Sequence, residues 1–78
     1  MEHELKCWPE YFTAVWNFTK PFEIRKNDRN FQVGDTLMLR EWEPATQTYT
    51  GAWVTRRVSF VTPFPEGLRD GYVCMGLK

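Results

Sequence analysis

The sequence predicts an α+β domain that is mainly β: about five short strands and one N-terminal helix that lids the core, the strands forming a small barrel or a strongly curled sheet. Three observations predict it. Alternation of apolar and polar residues recurs in short segments along the 78 residues, the period-two mark of strands. Only one stretch, Pro9 to Asn17, carries helical spacing. Many short strands around one helix leave edges that closure would hide.

The first strand is His3 to Cys7, with Leu5 and Cys7 pointing one way and Glu4 and Lys6 the other. It stops at Trp8-Pro9. Pro9 suits the first helical position, where its missing N–H costs nothing, and Glu10 favours the positive end of the helix dipole. Tyr11, Phe12, Val15, Trp16 and Phe18 then give a wide apolar face to pack on a sheet. Lys20 to Lys26 reads as the second strand, with Phe22 and Ile24 on one face and Glu23 and Arg25 on the other. Asn27-Asp28-Arg29-Asn30 and Val33-Gly34-Asp35 are turns. Thr36 to Glu43 and Ala52 to Thr62 form a hairpin around a Pro44-to-Gly51 turn region. Two prolines in Pro63-Phe64-Pro65-Glu66-Gly67 break the ladder. Tyr72 to Leu77 is the last strand, with Val73, Met75 and Leu77 sharing a face.

The length suits one domain, residues 1–78. A 42% apolar content without net charge excludes disorder. Thirteen residues are Phe, Trp or Tyr; most are expected in the core, with two or three left to line a cleft. Cys7 and Cys74 lie near opposite ends with no CxxC and no His at ligand spacing, so they read as two reduced thiols in a cytoplasmic protein. A bridge between terminal strands is the alternative. The N-terminal residues lack a basic region followed by an apolar run, so no signal peptide is expected. No stretch approaches the ~20 apolar residues of a membrane span. Neither a metal site nor a phosphate-cradling glycine loop is visible, and no cofactor is implied.

Ten Lys and Arg cancel ten Asp and Glu, but the cancellation is patterned. Residues 1–10 and 35–43 each carry a net −2, whereas residues 20–30 and 51–60 each carry +2. The densest basic stretch holds Lys20, Arg25, Lys26 and Arg29, which could take phosphates through charge-assisted hydrogen bonds; solvated edge-strand charges would look similar. Glu23 and Arg25 project side by side, and if the helix covers their face they lie with Lys20 in a cleft. A carboxylate held by an arginine there accepts hydrogen bonds from a base or amide edge. The plain alternative is a surface ion pair worth about 0–1 kcal/mol. His3, the only histidine, has no Ser or Cys partner in sequence from which a catalytic triad could be read. Trp42 and Trp53 are expected to stack across the hairpin, with stacking on a nucleic-acid base as the alternative.

Phe18-Thr19-Lys20-Pro21-Phe22-Glu23-Ile24-Arg25 resembles the Gly-x-Lys-x-x-Glu-x-Arg signature of ASCH domains (activating signal cointegrator homology), members of the PUA-like superfamily. With Asn27-Asp28-Arg29, Val33-Gly34-Asp35, Leu39-Arg40-Glu41 and Gly71-Tyr72-Val73, nearly the whole chain is similar to a compact subfamily of bacterial and phage ASCH-like proteins. The resemblance implies a PUA-like mixed β-barrel with the helix packed beside a cleft, which binds RNA, another nucleic acid or a nucleotide carrying a modified base, with Lys20, Glu23 and Arg25 at the cleft. Lys26 and Arg29 of the basic stretch are expected to join them in binding the ligand, and His3 and Trp42 to support the cleft. Phe18 stands where the signature has Gly, which shifts the expected left-handed helix cap to Asn17.

Some ASCH proteins are similar to amidohydrolases that deacetylate a modified cytidine with a Lys, a Thr and a Glu. Lys20 matches the lysine, but Glu23 takes the threonine's place and the last strand has no acidic residue. The leading expectation is therefore a non-enzymatic binder. An enzyme acting on a nucleobase or RNA, ribonuclease-like or amidohydrolase, is the alternative and would use Lys20, Glu23 and Arg25. A third is a phage or bacterial protein-interaction modulator anchored by Trp42, Trp53 and Phe64.

Overall fold

The computed structural model describes residues 1–78. β1 (Glu2–Cys7) leads through Trp8 into α1 (Pro9–Trp16), and β2 (Phe22–Lys26), β3 (Thr36–Glu43), β4 (Thr48–Thr62) and β5 (Tyr72–Leu77) follow. They form one five-stranded sheet in the order β1-β3-β4-β5-β2. β1 runs parallel to β3, and the other three pairings are antiparallel. The domain is thus α+β and mainly β, with a mixed sheet.

β4 makes the sheet curl. Its residues up to Arg57 pair with β3, and those from Val58 pair with β5. Ser59 is an extra residue between the pairs Val58–Leu77 and Phe60–Gly76, a bulge that bends the strand and increases its twist. Leu5, Cys7, Leu37, Leu39 and Val54 from one half of the sheet consequently share a core with Val58, Val73, Met75 and Leu77 from the other. Phe12 and Val15 of α1, together with Phe31, complete it. Burying each of these larger apolar side chains stabilises the fold by about 1.5–3 kcal/mol.

Of the two expected forms the curled sheet is the one present, and the barrel does not close. β1 and β2 occupy the two edges of the sheet, and no ladder joins them. The reason lies in β2, whose inward positions are Glu23 and Arg25, while Phe22 and Ile24 face solvent. The Arg25 guanidinium donates to the Lys6 carbonyl across the gap, so a side chain spans the two edges.

The aromatic residues also sit differently from expectation. Only Phe12 and Phe31 are buried, and nine of the thirteen are exposed. A two-turn helix can turn only a narrow stripe to the sheet, so Tyr11 and Trp16 face outward. The Trp42–Trp53 stack is replaced by a Trp42–Tyr49 pair, edge to face at 4.9 Å between centroids. Gly51, at φ +99, lies in a bulge that puts Tyr49 opposite Trp42 and Trp53 opposite Arg40. β4 accordingly begins before Gly51, within the segment read as a turn.

His3 is not a cleft residue. Alternation along β1 places it with Leu5 and Cys7 on the core side, where its Nε2 donates to Asp35 Oδ2 at 2.8 Å and its ring meets Phe31 edge-on. The backbone N–H of Gln32 donates to the same oxygen at 3.0 Å. These donors tie β1 to the turn that starts β3.

The helix ends one residue early and by another device. Phe18, at φ 64, adopts the left-handed conformation expected of Asn17, which has φ −94. Arg56 reaches over from β4 and donates to the terminal carbonyls of Val15 and Trp16 at 3.2 and 3.3 Å, with its guanidinium 4.3 Å from the centre of the Phe18 ring. A cation at this end also opposes the negative pole of the helix dipole.

Arg56→Ala is therefore expected to lower unfolding stability by about 1–2 kcal/mol in urea titrations, and Arg56→Lys to recover only part of it; an unchanged midpoint would contradict the capping role. The Asp35 carboxyl, held first by the His3 hydrogen bond and then by the Gln32 amide, has its pKa lowered from 3.8 to about 2. A depressed carboxyl stabilises the fold above its unfolded pKa and loses that contribution as pH falls through the folded value. Wild-type stability should thus fall between pH 3.8 and about 2, and the Asp35→Asn variant should show a flatter profile over that interval.

Candidate functional site

The open seam between β1 and β2 is a cleft with a cavity of about 1000 Å³, lined by Lys6, Cys7, Trp8, Tyr11, Lys20, Phe22, Glu23, Ile24, Arg25 and Tyr72. Pro9 starts α1 one residue after β1, which brings Trp8 and Tyr11 to the seam, and the segment after the helix returns Lys20 to the same place. The structure thus brings Lys20, Glu23 and Arg25 together.

Glu23 is the buried member, 4% exposed. Lys20 Nζ donates to its Oε1 at 2.8 Å and Arg25 Nε to its Oε2 at 2.6 Å. Lys20 also donates to the Phe22 carbonyl at 2.9 Å, and Arg25 uses a terminal nitrogen on Lys6. The geometry fixes the carboxylate between two cations and leaves rings on the walls. Lys20 Nζ lies 5.0 Å from the Phe22 ring centre, and Trp8 and Tyr11 are about half exposed.

A second, smaller cavity of about 290 Å³ adjoins the first and shares Ile24, Arg25 and Tyr72 with it. Lys26, Asp28 and Arg29 lie on its wall. Neither Lys26 nor Arg29 takes part in a salt bridge. Arg25 stands as the partition between a carboxylate-floored cavity and one bordered by free cations. Trp42 is one side chain removed from the cleft: Lys6, a lining residue, holds its ammonium 4.0 Å above the Trp42 ring. Arg57 is an exposed cation of β4, whereas its neighbour Arg56 is committed to the helix end.

Sequence reasoning did not assign Trp8, Tyr11 and Tyr72 to the cleft. The available signal was arithmetic: five apolar residues within one short helix and its end exceed what one narrow stripe buries. Cys7 borders the cavity as a protonated thiol, its pKa raised from 9.0 to about 11, first by burial and then by the Glu23 carboxylate. It is a poor nucleophile in that state. No group of three or more His, Cys, Asp or Glu is placed to hold a metal, and no helix is long and apolar enough to cross a membrane.

The fold and site together define a small mixed-sheet domain with an ion-paired cleft at an open seam. The chain belongs to the family described as "Domain of unknown function (DUF3850)", which matches residues 2–77. It is similar to the "Uncharacterized 12.9 kDa protein in GpA 3'region" of Escherichia phage P2, with 41% identity over 68 residues that make up 87% of this chain and 61% of the relative. The chain therefore spans about three fifths of the length of that relative.

The Glu23 charge supplies a check on the site's electrostatics. In a Cys74→Ser background, the ultraviolet absorbance of the Cys7 thiolate should titrate near pH 11 while circular dichroism reports an intact fold. Glu23→Gln should move that midpoint downward, because removing the carboxylate charge makes the thiolate less unfavourable. A midpoint unmoved by Glu23→Gln would mean that the carboxylate does not face the thiol.

Proposed function

We propose that this domain is an ASCH-like, PUA-like module that binds a nucleotide or a short nucleic-acid element in the Lys20–Glu23–Arg25 cleft. The observation that carries the reading is Glu23. Its strand buries a carboxylate and leaves Phe22 and Ile24 partly exposed at the cleft, the reverse of what core packing favours. A buried ion pair stabilises a fold no better than apolar residues of similar volume, so stability alone does not account for the inversion. The carboxylate accepts from a base edge, the surrounding rings stack on it, and Lys26 and Arg29 take phosphate at the adjoining cavity.

The ASCH resemblance gains support from Phe18. The signature has Gly at this position, and Phe18 adopts a left-handed φ of 64, which glycine reaches without strain. A binding role is favoured over amidohydrolase chemistry because Glu23 stands where the threonine would be and Cys7 is held protonated. The reading places the domain in the cytoplasm, in keeping with its free cysteines, and the relative from a phage points to the interior of a bacterial host.

Titration of the tryptophan fluorescence with single-stranded RNA, structured RNA and mononucleotides tests the reading. Binding should weaken with salt, with a slope of log K against log salt of about −1.4 for two phosphate contacts on a single strand. The Lys26→Ala/Arg29→Ala pair should flatten that slope, and Arg25→Ala should cost about tenfold in affinity or more. Absence of binding to every probe, or binding indifferent to both salt and Arg25→Ala, would sink the proposal.

A further inference from the structure

Resting on the binding role just proposed, the hydrogen-bond inventory of the cleft narrows what it accepts. Glu23 is acceptor-only, and each of its oxygens receives one internal donor, leaving a free lone-pair direction on each. Lys20 has three N–H groups and uses two, on the Phe22 carbonyl and on Glu23. Arg25 has five and uses two, on Glu23 and on the Lys6 carbonyl. Every buried polar side-chain atom already has a partner, so what remains for a ligand is this residual capacity. Across the cleft it runs donor, acceptor, donor.

The complementary ligand edge runs acceptor, donor, acceptor, and we infer that the cleft selects the imide edge of a pyrimidine-2,4-dione, the C=O, N–H, C=O sequence of uracil and thymine. The N3–H meets Glu23 while the flanking carbonyls meet Lys20 and Arg25. Cytosine would turn its N3 lone pair toward the carboxylate, an acceptor against an acceptor. Adenine offers a single donor beside a ring acceptor and has no carbonyl. Guanine matches two positions and then turns its amino group toward a cation. A site that fixes its donors and acceptors in this way rejects mismatched edges because its own buried groups are left unpaired.

Calorimetric titration with uridine, thymidine, cytidine, adenosine and guanosine 5′-monophosphates, and with 3-methyluridine 5′-monophosphate, tests the inference. Uridine and thymidine nucleotides should bind at least about tenfold more tightly than the other three, and N3 methylation should abolish that advantage. The uridine-to-thymidine ratio, repeated with oligouridine and oligothymidine strands, distinguishes RNA from DNA as the natural source of the base. Glu23→Gln, close in shape to the native residue, should erase most of the discrimination between uridine and cytidine; its folding is checked by circular dichroism. Equal affinity for uridine and cytidine, or undiminished binding of 3-methyluridine, would overturn the imide assignment and leave the binding role standing. No binding by any of the nucleotides or strands would overturn both.

Discussion

The guanidinium of Arg25 holds together two strands that share no backbone ladder. It binds Glu23 on its own strand and the Lys6 carbonyl on the opposite edge, and the seam, the two adjoining cavities and the setting of the carboxylate all follow. An edge strand normally leaves backbone groups open to pairing with another chain. Here the edges face one another across a space bridged by a side chain, so the opening becomes a cleft within the domain. Because side-chain pointing along a strand has a period of two, turning Glu23 and Arg25 inward necessarily turns Phe22 and Ile24 outward. Phe22 and Ile24 keep 38% and 46% of their surface exposed, so the domain forgoes part of the roughly 1.5–3 kcal/mol that full burial of each would contribute.

The remainder of the fold compensates with an aliphatic core. The five residues least exposed are Leu37, Leu39, Met75, Val15 and Val58, drawn from both halves of the curled sheet and from the helix. The small interior leaves the larger rings at the periphery, where several meet cations: Lys6 over Trp42, Arg40 over Tyr49, Arg56 over Phe18. The aromatic content that sequence composition would assign to the interior therefore ends as a partly exposed shell. In the cleft that same tendency furnishes walls suited to a flat ligand.

The legible parts of the sequence were those where alternation and burial agree. In β1 and β5 the apolar positions are the inward ones, so Leu5, Cys7, Val73, Met75 and Leu77 could be placed from pattern alone. In β2 the pattern gives two faces but not which is inward, because the rule that apolar residues face the core fails there. Lys20, Glu23 and Arg25 could be grouped, whereas Trp8, Tyr11 and Tyr72 depend on the path of the chain around the seam. His3 carried no mark of its partner, since Asp35 is 32 residues away. Gly51 was ambiguous between a turn and a bulge, both of which use positive φ; that difference decides whether Trp42 faces Trp53 or Tyr49. Phe18 runs against the local preference altogether, and its conformation depends on surroundings that include an arginine from a distant strand.

Neutrality acquires a meaning from this arrangement. A domain with equal numbers of cations and anions lacks the broad basic surface that holds a long phosphate backbone without regard to sequence. Its charges are instead spent locally: Glu4 on Arg40, Asp35 on His3, Glu23 on Lys20 and Arg25. Lys26 and Arg29 stay free of ion pairs beside the smaller cavity. Under the proposed binding role, two such cations would suit one or two phosphates, and the larger cavity would take the group attached to them. Affinity for such a ligand would rest mainly on the directional match between its edge and three side chains, because a domain without net charge contributes little long-range attraction. The inverted face of β2 and the zero net charge therefore favour the same reading of the proposed site, recognition by hydrogen-bond pattern within a cleft over attraction by a broad charged surface.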